Sequence, residues 1–129
     1  MQPEGENKIG SAGEEIESLR KRIAELETVS QNKERTEVIK EAIKEHVGKS
    51  PEEFLAEGNR FTQQEIKQRA QKIGDTSVEK QHQEQILELM QIAQSKGILN
   101  AVSVIKRLND PYLEDEFHGA LVKYFQASH

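Results

Sequence analysis

Three acids and a histidine stand within the segment Glu114-Asp115-Glu116-Phe117-His118, and no other stretch of the chain looks more like chemistry. On a helix, Asp115 lies three residues and Glu114 four residues before His118, so either carboxylate reaches the imidazole. Such a pair could orient a histidine for acid/base work, and carboxylate–x–x–His is half of the ligand set of di-iron helical bundles. The other half is missing. Those sites use a second such motif and two further glutamates, and no second carboxylate–x–x–His pair stands in an apolar context here. Nothing beside these residues offers a nucleophile, an oxyanion hole or a glycine-rich phosphate loop. The expectation is therefore structural: the acids complement the positive end of a helix, and His118 bonds to Asp115 at its edge. Asp115, Phe117 and His118 are kept as motif residues without a role, and no catalytic, cofactor-binding or metal-binding residue is assigned.

The remaining histidines add no ligand set. His46 falls near the end of a helix, where positive charge is favourable, His82 falls on or at the rim of an apolar face, and His129 is terminal. There are no cysteines, which excludes disulfides, thiolate catalysis and cysteine-based zinc sites. The net charge of −5 comes from 23 acids against 18 bases and is spread along the chain, so no basic face is available to displace counterions from nucleic acid. Arg20-Lys21-Arg22 reads as the solvated side of a helix.

The elements that must position these residues are helical. Of the 129 residues, 34% are hydrophobic, 5% aromatic and 32% charged, and strand-like alternation is nearly absent. The expected class is all-α: a long, coiled-coil-like N-terminal helix followed by a compact C-terminal bundle of short helices. Residues 1–12 form a polar, flexible lead-in. Ser11 and Glu14 have capping-box spacing, and Ile16, Leu19, Ile23 and Leu26 then recur at spacings of 3, 4 and 3, the a/d seam of a coiled coil. The next seam positions are Ser30 and Lys33, and apolar residues return in a shifted phase as Val38, Ile39, Ala42, Ile43 and Val47 before Gly48. One helix over residues 13–48 is expected, with a hairpin broken near "SQNKER" as the competing arrangement.

A small helical domain over residues 50–127 follows, best packed over 76–127. "SPEEFLAEG" reads as a short capped helix that buries Phe54 and Leu55, and "TQQEIKQRAQKIG" as a second, capped by Thr62 and Glu65. Thr76 and Glu79 cap a third, whose apolar face holds Val78, His82, Ile86, Leu89, Met90 and Ala93 and which stops at Gly97. Ile98, Ala101, Val102, Ile105 and Leu108 line a fourth. Asn109 breaks it, Asp110 caps the last helix and Pro111 starts it, with Leu113, Phe117, Leu121 and Tyr124 on one side. Gly119, in mid-helix, suggests the close approach of a neighbour.

The C-terminal block carries a recognisable pattern: Glu79-Lys80-Gln81, then "IAQSKG" at 92–97, Ala101-Val102, "LNDPYL" at 108–113, and "DEFH" at 115–118 followed by Ala120-Leu121-Val122. It resembles a small helical module of uncharacterised coiled-coil proteins from candidate-phyla (Patescibacteria-like) bacteria, well over residues 79–125 and loosely over 50–125. Many of those proteins have an aspartate after the Phe-His pair, where this chain has Gly119, and the resemblance hands no role to any residue. It implies association with type IV secretion-like ATPases.

Taken together, these features predict a non-enzymatic interaction or assembly module. It would use the seam Ile16, Leu19, Ile23 and Leu26 for self-association or for a protein partner, and would serve a secretion- or conjugation-like machine. A helix-turn-helix-like nucleic-acid-binding module, with Lys106 and Arg107 as its bases, is the alternative, disfavoured by the acidic balance. No small-molecule substrate and no cofactor is implied. No apolar run is long enough to span a membrane, and the start lacks the apolar core of a signal peptide, so a cytoplasmic location, or one peripheral to a membrane complex, is expected.

Overall fold

The Ser11 hydroxyl accepts from the Glu14 backbone N–H at 3.1 Å and opens α1 (Ala12–Val29). The computed structural model describes residues 10–30, 32–75 and 81–127. Within them, the expected single helix over 13–48 does not form: α1 stops at Val29, and the chain turns back into α2 (Arg35–Val47). The cause is legible locally. No apolar side chain stands from Ser30 to Thr36, so a continued helix would have nothing to bury, whereas folding back lays Val38, Ile39, Ala42 and Ile43 onto Ile16, Leu19 and Ile23. Arg22 forks onto Glu45 across the hairpin, at 2.8 and 3.1 Å. The pair is solvent-exposed and fixes register more than it adds stability.

After Gly48 the expected short helix is only a 3-10 turn, Pro51–Glu53, closed by a Ser50/Glu53 capping box, with a second turn at Glu57–Asn59. Leu55 is nevertheless buried and Phe54 packs against the core. Helix α3 (Gln63–Gly74) has the full Thr62/Glu65 box and buries only Ala70 and Ile73. Then follow α4 (Gln81–Ser95), α5 (Ile98–Leu108) and α6 (Pro111–Ala127). The Thr76/Glu79 box and Val78 lie outside the described residues, as do residues 1–9 of the lead-in and His129. Gly10, the part of the lead-in within the described residues, is buried and accepts from the Ala56 N–H at 3.1 Å.

Helix α5 is the centre of the molecule. Seven of its 11 residues are buried: Ile98, Leu99, Asn100, Ala101, Val102, Val104 and Ile105. It contacts α1, α2, α3 and α4, most extensively α3 and α4, while α2 lies along α6 and α4 bridges α5 and α6. A helix buried nearly all round needs apolar residues on every side, and "ILNAVSVI" supplies them. One core therefore runs from Ile16 through Leu55, Leu89 and Ile105 to Phe125. Asn109 takes a left-handed conformation (φ 55°) to end α5, and the Asp110 carboxylate accepts from the Tyr112 and Leu113 N–H groups to start α6.

Candidate functional site

The seam residues face inward. Ile16, Leu19 and Ile23 are buried in this chain's own core and Leu26 packs against it, so a second chain could reach that seam only by opening the hairpin. The motif residues of α6 are not brought together as a site. Phe117 is fully buried, Asp115 is exposed, and half-buried His118 has its ring beside Phe117 at a centroid distance of 6.4 Å. Among the described residues, His118 forms no ion pair with Asp115 or Glu114, contrary to expectation. Nor does any group of three or more His, Asp or Glu side chains among them stand close enough to hold a metal ion.

Two other places in the fold concentrate polar chemistry or open apolar surface. The first is the buried pair Glu15–His46, with side chains 0% and 4% exposed. Both oxygens of the Glu15 carboxylate are engaged. Oε1 accepts from the Ile98 N–H at 2.7 Å, and Oε2 accepts from the Leu99 N–H at 3.0 Å and lies 2.7 Å from His46 Nε2. Helix α5 begins after Gly97, which has no side chain to cap it, so Glu15 from α1 caps it instead and places negative charge at the positive end of its dipole. The same carboxylate thereby joins α1, α2 and α5. Gly97 makes room for it: its φ is +128°, and an added Cβ would lie 3.0 Å from Glu15 Oε1 and 3.0 Å from Leu55 Cδ1.

The His46 ring packs against Phe54 at 4.6 Å and lines a cleft of about 400 Å³ with Ser18, Arg22, Glu45 and Lys49. Arg22 holds the Glu45 carboxyl below its ordinary range, chiefly through their hydrogen bonds. A general base needs a lone pair aimed at substrate, and the Glu15 oxygens are already aimed at α5 and His46. This arrangement positions helices.

The second place is an open groove of about 530 Å³ between α4 and α6, lined by His82, Ile86, Leu87, Glu116, Gly119 and Ala120 among others. His82, expected on the buried face of α4, is exposed here with its ring edge on Tyr112 at 4.7 Å. Helix α4 buries Leu89 and Ala93 as expected, together with Gln85 and Ile92, while Ile86 and Met90 pack against the core; Gln85 Nε2 donates to the Ile73 carbonyl at 3.0 Å. Leu87 is 62% and Tyr112 57% exposed. The Glu116 carboxylate accepts from the Tyr112 hydroxyl, which raises the phenol above its ordinary value. Gly119 has no close neighbour: nothing lies within 4 Å of a Cβ built there, so the close approach expected of it is not made within this chain.

Sequence reasoning missed both places. His46 follows Ile39, Ala42 and Ile43 at helical spacing, which marks it as a member of the apolar stripe, and Glu15 adjoins the seam at Ile16. The groove left a weaker trace, a glycine in the middle of a well-capped helix. Compared with known families, with curated proteins and with solved structures, the chain matches none.

Proposed function

We propose that this chain is a non-enzymatic helical protein–protein interaction module that docks through the groove between α4 and α6. The observation that carries this reading is the exposed Leu87 in that groove, beside Ile86 and Ala120, with the exposed Tyr112 at its edge against His82; these are two of the three large exposed apolar side chains among the described residues. Covering one such side chain is worth about 1.5–3 kcal/mol, and clustered exposed apolar groups on a small protein favour an interaction surface. The polar groups inside the fold support the same reading, because they join elements of the chain: Glu15 and His46 hold α5, and Asn100 holds the loop at Asn59 and Phe61. The resemblance of residues 79–125 suggests a secretion-type ATPase as a partner.

The nucleic-acid reading finds less support. Lys106 and Arg107 are exposed at the end of α5, but the burial of seven of its 11 residues leaves little face to enter a groove of DNA. The interaction reading is tested by placing a photo-crosslinking residue at Leu87, with a control at the exposed Lys67 on α3, and irradiating the producing cells. Discrete protein adducts from position 87 alone are expected. If position 87 yields none, the reading fails, and a gel shift at low salt becomes the informative experiment.

A further inference from the structure

The face that α6 turns to the groove is complementary to itself. Tyr112, Glu116, Gly119 and Lys123 follow one another at spacings of 4, 3 and 4 and so share one side of the helix, with Ala120 and Ala127 flanking it. Glu116 and Lys123 lie symmetrically about the Gly119–Ala120 pair, about 10 Å apart along the axis. The Lys123 ammonium has no ion-pair partner among the described residues. At the midpoint the Cβ position of Gly119 looks into open space. A glycine in mid-helix lowers helix stability relative to alanine, and no contact within this chain requires it.

We infer that α6 pairs antiparallel with α6 of a second copy of this chain, about a two-fold axis passing between Gly119 and Ala120. In that register Gly119 faces Ala120 of the other copy, Glu116 faces Lys123, and Tyr112 faces Ala127. The charges alternate in the sense each copy needs, small residues meet at the crossing where the backbones come closest, and the large Tyr112 meets a small residue. An isologous contact requires this self-complementarity, whereas a surface fitted to an unrelated protein does not. Leu87 and Ile86, on the adjoining α4, extend the apolar area at the edge of the contact. The inference rests on the proposal that the α4–α6 groove is a docking surface, and it names the occupant.

Light scattering on the purified full chain, from low micromolar to millimolar concentration, tests it. The wild-type mass rises from monomer to dimer. Glu116→Lys and Lys123→Glu each set like charges against one another twice per dimer and raise the dissociation constant at least about tenfold. An equimolar mixture of the two variants dimerises, because both lysines of one then face both glutamates of the other, and the double reversal Glu116→Lys/Lys123→Glu dimerises on its own. Gly119→Leu keeps the fold, checked by circular dichroism, and stays monomeric. The inference is overturned by a wild-type chain that remains monomeric throughout, by a dimer indifferent to both reversals, or by a mixture no heavier than its components. If a monomeric wild type still gives discrete adducts with a different protein from position 87, the second copy is ruled out and the interaction module stands. If both experiments fail, both proposals fall.

Discussion

At the scale of single residues, the most consequential side chain is one whose type would place it on the surface. Glu15 sits in an acidic first turn, and acids there usually face solvent beside the helix dipole. The one-residue step from Glu14 rotates it onto the core, where its carboxylate meets the bare start of α5 and the His46 ring. Removing one member of such a buried set leaves the others unsatisfied, so Glu15→Ala should destabilise the fold by about 3–5 kcal/mol in urea denaturation with an unchanged m-value. A loss below ~1 kcal/mol would mean that water or a neighbour replaces the carboxylate. Glu15→Gln retains an acceptor and should cost less. Tyr112 offers a solvent-side counterpart. Its phenol is raised by the Glu116 carboxylate, so any stability it contributes is fully present below the unfolded-state value and is lost as pH rises through the folded one. An ultraviolet titration should show Tyr112 ionising above the ordinary tyrosine value, and Glu116→Gln should bring it back. If the substitution leaves the titration unmoved, the hydrogen bond is absent in solution.

At the scale of elements, two glycines in well-defined places make opposite predictions. Gly97 joins α4 to α5 in a conformation that L side chains rarely adopt, and an added Cβ would press on Glu15 and Leu55. Gly119 sits inside α6 with open space at its Cβ position. Gly97→Ala should therefore lower the melting temperature, whereas Gly119→Ala should raise it, through the ~1 kcal/mol of stability that separates glycine from alanine in a helix. Both can be read from thermal melts at a concentration where the chain is monomeric, and the same sign for the pair would contradict the structure. The elements also show what a sequence transmits. Helices α3 and α6 were legible because capping residues, Thr62 with Glu65 and Asp110 with Pro111, fix a start regardless of what lies elsewhere. The α1–α2 break was legible only as an alternative, since Ser30 and Lys33 interrupt the seam without saying whether the chain continues or turns. The face of α4 was legible except at its edge: Leu89 and Ala93 are buried and Ile86 and Met90 pack against the core, whereas His82 is exposed and Gln85 and Ile92 take buried places. Ile86, Leu87, Leu89, Met90, Ile92 and Ala93 spread round much of the helix, so periodicity admits two stripes, and the one chosen in the fold includes polar Gln85 because the Ile73 carbonyl is there to receive it.

At the scale of the whole molecule, no periodicity could reveal that the N-terminal hairpin completes the core of the C-terminal helices. The seam Ile16–Leu26 has the spacing of an intermolecular coiled coil, and a seam is satisfied equally well by a second chain or by the same chain folded back. What decides between them lies far along the sequence, in α5 and α6, whose buried faces need covering and whose N-terminal N–H groups at Ile98 and Leu99 need an acceptor. The hairpin supplies Ile16, Leu19, Ile23, Val38, Ile39, Ala42 and Ile43 to that core. Their burial is worth on the order of 10 kcal/mol. That is comparable to the whole net stability of a domain of this size. A fragment of residues 50–129 should accordingly lose its cooperative unfolding transition and its dispersed amide spectrum, although the sequence of α4, α5 and α6 alone reads as a packed unit. Adding a separate peptide of residues 1–49 should restore both, because the two pieces meet through the contacts that hold the intact chain. A fragment that melts cooperatively by itself would make the hairpin an attached arm and return the seam to the surface, where it would compete with the α6 face as the place at which two copies meet.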